Sequence, residues 1–325
     1  MTRTIIVHPG LPKCATSAIQ RIFVLKDHAL PRALGISTIG KKFIPMNGFP
    51  PITEVLRSYE ECLRHLHGQR YADGRYFLSS EAITARPELL GEIKSIFDIS
   101  QIVVTVRFPP IQAFSNFRYS GWLTEDLRCL LANPKTSPFQ AAHRHRHKLR
   151  QFAGFARVVA CPVEGDPDGF TLMQRFCMTC FGQTPDILHR TPFSDDGRVN
   201  DSIGLAFAQA LSLEISERGL DFLGAERQRI VKLAQLAKVP AEFSYLMPAG
   251  FSQRDFTPLL DALGDYDMLL EEFGVSTRDR RAAVTSAERQ LRALLERPAA
   301  SSTQAVVLKS HAKALLDEAL QASTI

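Results

Sequence analysis

The sequence predicts a three-layer α/β protein, in which helices cover both faces of a parallel sheet and a helical C-terminal half follows. Four short apolar runs alternate with stretches that carry apolar side chains at helical spacing. From about residue 203 the strand-like runs cease and only the helical spacing continues. Strand–helix alternation implies βαβ crossovers, which make neighbouring strands parallel and place helices on both faces of the sheet.

The four predicted strands have defined ends. RTIIVHPG (residues 3–10) is closed by Pro-Gly, and RYFLSSE (75–81) ends in polar residues. SQIVVTVRF (100–108) is almost wholly apolar, so it is expected in the middle of the sheet, and ARVVACPVE (156–164) is the fourth strand. The helices are predicted over residues 15–30, 52–69, 86–97, 109–123 and 141–155, and then over 202–220, 224–237, 255–274 and 305–322.

Composition limits the class of partner. The 325 residues are 45% hydrophobic and 22% charged, as in a globular protein with a real core. A net charge of +5 suits an anionic ligand but is too weak to predict nucleic-acid binding. No apolar run reaches the length of a membrane span, so a cytoplasmic protein with reduced thiols is expected.

Two motifs invite a metal interpretation, and neither is complete. Cys177 and Cys180 form a CxxC inside an apolar helical pattern, which favours two buried thiols one turn apart. The basic run HRHRHK (143–148) places two histidines four residues apart but offers no third ligand, and a solvated helix face is expected. The sequence therefore predicts no metal site.

The first strand leads into HPGLPKCATS (8–17), which has the character of an anion-binding loop. The N–H groups at the start of the following helix can hold an anion, Lys13 adds a cation, and Thr16 and Ser17 add hydroxyls. A Walker loop needs glycine before the lysine and Ser/Thr after it, but Lys13 is flanked by Pro12 and Cys14. No strand ends in an aspartate for magnesium, which disfavours a kinase.

A second anion-binding point follows the third strand. In VRFPPIQAFS (106–115), Arg107 ends the most apolar strand, where a charge must be paired or bind something. Its planar guanidinium suits a phosphate, and Ser115 lies eight residues further on. Ligands of parallel sheets bind beyond the carboxyl ends of the strands, so the two points together predict a ligand with two separated phosphates.

GLPKCATSAIQ, LSSEA and VVTVRFPPIQAFSNF together resemble the sulfotransferase family that uses 3′-phosphoadenosine 5′-phosphosulfate (PAPS), and particularly its bacterial, carbohydrate-type branch. The resemblance implies a P-loop-type fold, a Lys13 that stabilises the leaving phosphate, and adenosine 3′,5′-bisphosphate as product. It also implies the donor-binding residues Pro12, Lys13, Cys14, Ala15, Thr16, Ser17, Arg107, Ser115 and Arg198. Ala15 stands where the family usually has glycine, and its methyl group is expected to crowd the phosphate or to require a negative φ.

The family places its general base between the two phosphate motifs, which points to Glu81 in LSSEA. Two alternatives stay open: Glu81 acts as the base, or it caps the following helix. His8 either faces the cleft or packs below it, and Trp122 or Phe108 is a candidate to face the adenine.

The resemblance covers about residues 1–275, which predicts a catalytic domain 1–275 and a helical C-terminal extension 276–325. The expected acceptor is a small molecule or glycan with a hydroxyl or amine, and the last helices are candidates for a homodimer contact. A small-molecule kinase and a non-catalytic relative that binds nucleotide or glycan are the alternatives.

Overall fold

The structure is a computed structural model, and it describes residues 3–39, 66–67, 70–132, 138, 142–165, 171–190, 203–237 and 239–321. The helix predicted over 52–69 lies outside the described residues except at 66–67, which are helical.

In the described ranges, five strands form one sheet in which every neighbouring pair is parallel. Their order is β2-β3-β1-β4-β5, and their bounds are β1 Arg3–Pro9, β2 Ser37–Ile39, β3 Gly74–Ser80, β4 Asp98–Val106 and β5 Val158–Pro162. The predicted α/β class and parallel sheet are confirmed. The short edge strand β2 was missed, since three residues are too few for a periodic signal.

Fourteen α-helices are present in the described part of the chain. They are α1 Thr16–Leu34, α2 Ala82–Ala85, α3 Leu89–Ile96, α4 Pro109–Tyr119, α5 Leu127–Ala132, α6 Ala142–Ala153, α7 Leu172–Phe181, α8 Ile187–Arg190, α9 Leu205–Glu217, α10 Gly224–Leu236, α11 Gln253–Phe256, α12 Ala262–Glu272, α13 Thr277–Leu295 and α14 Ser302–Gln321. None of these helices is both long enough and apolar enough to cross a membrane.

Side chains on both faces of the sheet are buried. Ile6, Phe77 and Val103 belong to one hydrophobic cluster with residues of α1 and α7. Because neighbouring side chains on a strand point to opposite faces, Val7 and Val104 point to the other side, and both are fully buried there. An all-parallel sheet that is buried on both faces explains why these strands are apolar throughout.

The chain divides into two compact units built from interleaved segments. The first unit comprises residues 1–108, 142–199 and 265–286, and it contains the whole sheet. Its third segment packs closely on the strand ends: a Cβ on Gly165, which follows β5, would lie 2.7 Å from the Ala283 backbone nitrogen in α13.

The second unit comprises residues 109–141, 200–264 and 287–325 and is helical in its described part, apart from a single bridge between Met247 and Ala299. Helix α9 contacts α14, and Arg218 at its end pairs with Asp317 at 2.7 Å. The predicted change to helices after residue 203 is confirmed within the described residues. The functional boundary at 275/276 stays a prediction.

Candidate active site at the carboxyl ends of the strands

The first unit brings three predicted site residues to one edge of the sheet. Strand β1 lies between β3 and β4, so the loop after β1, Glu81 after β3 and Arg107 after β4 are neighbours. We call Lys13, Glu81 and Arg107 the outer layer. The strand order explains the arrangement, because parallel strands deliver their following residues to the same edge.

The loop after β1 is held tightly against β3 and α2. The Gly10 N–H donates to the Ser80 carbonyl at 3.2 Å, and the Thr84 hydroxyl donates to the Gly10 carbonyl at 3.0 Å. A Cβ on Gly10 would lie 2.2 Å from Thr16 Cγ2, so only glycine fits at this position. The Thr16 hydroxyl is buried and donates to the Leu11 carbonyl at 3.3 Å, so it braces the loop from inside.

Two residues of this loop have left-handed backbone conformations. Lys13 has φ 60° and Ala15 has φ 63°, and they are the two non-glycine residues with positive φ in the described chain. Such a conformation costs an L-residue about 1–2 kcal/mol and is concentrated at functional sites. The expectation of a negative φ at Ala15 is wrong: the alanine keeps the turn that a glycine would form and carries the strain.

Lys13 is coupled electrostatically to both other members of the outer layer. Burial lowers the pKa of its ammonium to about 8, while the carboxylate of Glu81 opposes this shift and the guanidinium of Arg107 adds to it. Charge effects of this kind act over short distances, so the three side chains share one local field. The structure thus brings together the loop lysine, the predicted base and the predicted phosphate-binding arginine.

Glu81 occupies the position before α2, but its side chain makes no capping hydrogen bond there. Ser80 Oγ accepts from the Ala82 N–H at 3.0 Å instead. Burial raises the pKa of the Glu81 carboxyl, and Lys13 limits the rise. The capping alternative is therefore disfavoured, and the carboxyl is half-buried beside a cation.

Arg107 has a buried acidic neighbour that the sequence analysis did not select. Glu164 follows β5, is 3% exposed, and lies 3.7 Å from Arg107 Nε through its Oε1. The Phe108 N–H donates to it at 3.2 Å and the Tyr266 hydroxyl at 2.8 Å. Glu164, like Arg107, is a charged residue just after an apolar strand, whereas Tyr266 is 102 residues away in the chain and carries no local signal.

One position further into the sheet lies a second polar group, which we call the inner layer: His8, Ser79 and Thr105. The His8 ring is fully buried, with Nδ1 hydrogen-bonded to Ser79 Oγ at 2.7 Å and Nε2 to Thr105 Oγ1 at 3.0 Å. Burial lowers the pKa of His8 to about 3, so the imidazole is neutral. His8 therefore packs below the cleft and does not face it.

The remaining predicted residues fall into different places. Pro12 is exposed, and burial raises the pKa of the Cys14 thiol to about 12. Ser115 is half-buried in α4, which belongs to the second unit, so its partnership with Arg107 stays a prediction. The Ser17 side chain and Arg198 lie outside the described residues. Phe108 and Trp122 are 0% and 1% exposed, so neither presents a ring face to a ligand.

The two thiols of the CxxC motif are buried as predicted, and two of the three histidines in HRHRHK lie on an exposed helix face. Cys177 and Cys180 are buried free thiols in α7, and His143 and His147 are exposed on α6. Within the described ranges, no group of three or more His, Cys, Asp or Glu side chains has an arrangement that would hold a metal ion. His145 of the same helix is buried instead, and its Nδ1 has no hydrogen-bond partner in the structure.

A scan against protein-family models found no match for the chain, and a search of curated proteins also found none.

Proposed function

We propose that the protein is a PAPS-dependent sulfotransferase that moves a sulfuryl group to a hydroxyl or amine of a carbohydrate-like acceptor. The observation that carries the proposal is the shared field of Lys13, Glu81 and Arg107 around a strained loop at the carboxyl end of the central strand. An ammonium, a guanidinium and the N–H groups at a helix start are the donors that an organic phosphate requires.

Within this proposal the protein has a three-layer, P-loop-type fold, and the loop after β1 holds the 5′-phosphosulfate. Gly10 and Thr16 fix the loop, which lets its backbone approach the ligand closely. Arg107 binds the 3′-phosphate, and the Arg-x7-Ser spacing of the resemblance adds Ser115 to the candidates for this contact. Two fixed phosphates orient the sulfur for in-line attack, which lowers the entropic part of the barrier.

The reaction forms a bond between the acceptor oxygen or nitrogen and sulfur, and it breaks the bond between sulfur and the bridging phosphate oxygen. The bonding electrons leave with adenosine 3′,5′-bisphosphate, and the Lys13 ammonium stabilises the charge that grows on the bridging oxygen. The acceptor proton passes to Glu81, whose pKa is raised by burial, which makes its carboxylate a stronger base.

Binding of adenosine 3′,5′-bisphosphate to the full chain, measured by calorimetric titration, tests the proposal. We expect saturable binding, and we expect Arg107→Ala to weaken it by about a hundredfold because a charge-assisted bidentate contact is lost. Arg75→Ala, at the opposite end of β3 and exposed, is the matched control and leaves binding unchanged. Absence of binding to the wild-type protein, or binding of Mg²⁺-ATP in its place, would refute the proposal.

Turnover should also have a bell-shaped pH profile. The base must be deprotonated, so kcat/KM rises with pH through the raised pKa of Glu81. The ammonium must be protonated, so kcat/KM falls again above about pH 8, where Lys13 loses its proton. Glu81→Gln removes the acidic limb and moves the alkaline limb to lower pH, because the carboxylate no longer opposes the lowering of the Lys13 pKa. An unchanged acidic limb in that variant would assign the base elsewhere.

A further inference from the structure

A buried carboxylate beside an anion-binding arginine is electrostatically costly and needs an explanation. Glu164 is 3% exposed, and its negative charge lies 3.7 Å from the guanidinium to which the proposed function assigns a phosphate. A carboxylate at that position repels an incoming phosphate. A residue that served packing alone would be better replaced by an apolar side chain, because burial of a charge costs several kcal/mol.

Three contacts hold the carboxyl group in one orientation. The Phe108 N–H donates to both oxygens at 3.2 Å, and the Tyr266 hydroxyl donates to Oε2 at 2.8 Å. Tyr266 is itself 0% exposed, and its ring lies 5.5 Å from that of Phe108. The carboxyl group is thus fixed by two elements distant in sequence, the end of β4 and helix α12.

The contact with Glu164 orients the Arg107 guanidinium but does not satisfy all of its hydrogen-bond donors. The 3.7 Å separation between Nε and Oε1 is longer than a hydrogen bond, and Nε is buried with no hydrogen-bond partner in the described part of the structure. The ion pair attracts the Nε edge of the group toward β5. A planar guanidinium that is held by one edge keeps its other donors in a defined plane.

We propose that Glu164, fixed by the Tyr266 hydroxyl, is a positioning residue that aligns Arg107 for the 3′-phosphate of the nucleotide. This inference rests on the proposed function. It assigns to the loop after β5 a role in distinguishing nucleotides that carry a 3′-phosphate from those that lack one. Tyr266 of α12, which lies 102 residues further along the chain, belongs to the same arrangement through its hydrogen bond to Glu164.

A purely structural role for Glu164 makes a different prediction. If the carboxylate only closes the end of β5 through the Phe108 N–H, its loss will lower stability and weaken every nucleotide alike. If it aligns Arg107, its loss will weaken only ligands that carry the 3′-phosphate. Two ligands that differ in that one group therefore separate the two roles.

The experiment compares adenosine 3′,5′-bisphosphate with adenosine 5′-phosphate by calorimetry on the wild type, Glu164→Gln, Tyr266→Phe, Arg107→Ala and the Arg107→Ala/Glu164→Gln double variant. Glutamine keeps the shape and an acceptor for Phe108 but removes the charge. Glu214→Gln is the matched control, since Glu214 is also buried and pairs with an arginine, Arg218, at 2.7 Å in the second unit. Thermal unfolding of each variant confirms that it is folded.

We expect Glu164→Gln to weaken the bisphosphate about tenfold, the size of a usual coupling between contacting residues, and to leave the monophosphate within a factor of two. Tyr266→Phe gives a smaller loss of the same selectivity, and it serves if Glu164→Gln does not fold. In the Arg107→Ala background Glu164→Gln has no further effect. Equal weakening of both ligands, or an additive double variant, overturns this inference alone, whereas a wild type that binds neither nucleotide overturns the proposed function as well.

Discussion

Two layers of polar side chains lie at the same ends of the same three strands, and they differ in how completely their polar groups are satisfied. In the inner layer, His8, Ser79 and Thr105 are 0–4% exposed, and both ring nitrogens of His8 are hydrogen-bonded. The outer layer carries full charges, is half-buried, and includes a strained backbone at Lys13. The inner layer has the features of a structural element, whereas the outer layer is the one to which we assign ligand binding.

The comparison shows that a perturbed pKa does not by itself identify a functional residue. The pKa of His8, lowered to about 3, is shifted further from its ordinary value of 6.5 than that of Lys13, lowered from 10.5 to about 8. Burial alone accounts for the shift of His8, whereas opposing charges contribute at Lys13. Half-burial, nearby charge and backbone strain together distinguish the outer layer.

The largest expected effect comes from a substitution in the outer layer. Lys13→Ala removes the cation to which the proposed function assigns stabilisation of the leaving phosphate, so we expect turnover of PAPS to fall roughly a thousandfold. Folding stability should not fall, because the ammonium makes burial of this loop more costly. A sulfuryl-transfer assay with a panel of hydroxylated acceptors, together with thermal unfolding, measures both quantities. A variant that turns over like the wild type would remove Lys13 from the mechanism.

The next largest effect comes from a substitution in the inner layer. His8→Ala leaves the hydroxyls of Ser79 and Thr105 without their partner and opens a cavity, which costs about 3 kcal/mol of unfolding free energy. Nucleotide affinity of the folded protein should stay within twofold of the wild type. Urea unfolding and calorimetry measure the two quantities. Weaker binding with unchanged stability would contradict the separation of the layers.

Lowering the pH should reduce the difference in unfolding free energy between the wild type and His8→Ala. The unfolded chain protonates His8 below its ordinary pKa of 6.5, whereas the folded chain resists until about pH 3. Stability from the neutral imidazole is therefore present above pH 6.5 and is lost as the pH falls. Between pH 6.5 and 5 the gap in unfolding free energy between wild type and His8→Ala should shrink by about 2 kcal/mol.

Urea titrations of the two proteins across this range measure the gap. Other groups, including His145, whose pKa burial lowers to about 4, titrate in both proteins and cancel in the comparison. A gap that stays constant with pH would mean that His8 titrates in the folded chain with the same pKa as in the unfolded chain.

The smallest expected effect concerns the left-handed backbone of Ala15 in the loop after β1. Ala15→Gly removes the cost of a left-handed alanine but increases the freedom of the unfolded chain, so we expect a net stabilisation of about 1 kcal/mol or less. Gly35→Ala, at the left-handed end of α1, is the opposite control and should destabilise. A loss of stability in Ala15→Gly would show that the alanine methyl contributes packing here.

The sheet could be predicted from the sequence because its strands are buried on both faces and therefore apolar throughout. Residues 100–108 show this most clearly, and β4 is indeed paired on both sides. The edge strand β2 pairs with only one neighbour and is three residues long, so it left no pattern. The interleaving of the two units is a property of tertiary contacts, which periodicity does not record.

The candidate site could be predicted from the sequence only where its residues lie close to a recognisable strand end. Glu81 and Arg107 directly follow strands, Lys13 lies in the loop after β1, and the strand order brings the three together. The roles of His8 and Thr16 depended on which way each side chain points, and a sequence does not supply that direction. Glu164 also follows a strand, but its importance depends on Tyr266, which reaches it from another part of the chain.

Gly165 connects the C-terminal region to the segment that carries Glu164. Its backbone approaches Ala282 and Ala283 of α13 so closely that no side chain fits between them. A protein shortened to residues 1–275 would retain every predicted site residue and still lose the surface against which the segment after β5 rests. We expect such a truncated protein to fold around its sheet but to hold the carboxylate of Glu164, next to that glycine, loosely, so the candidate site depends on residues beyond the predicted boundary.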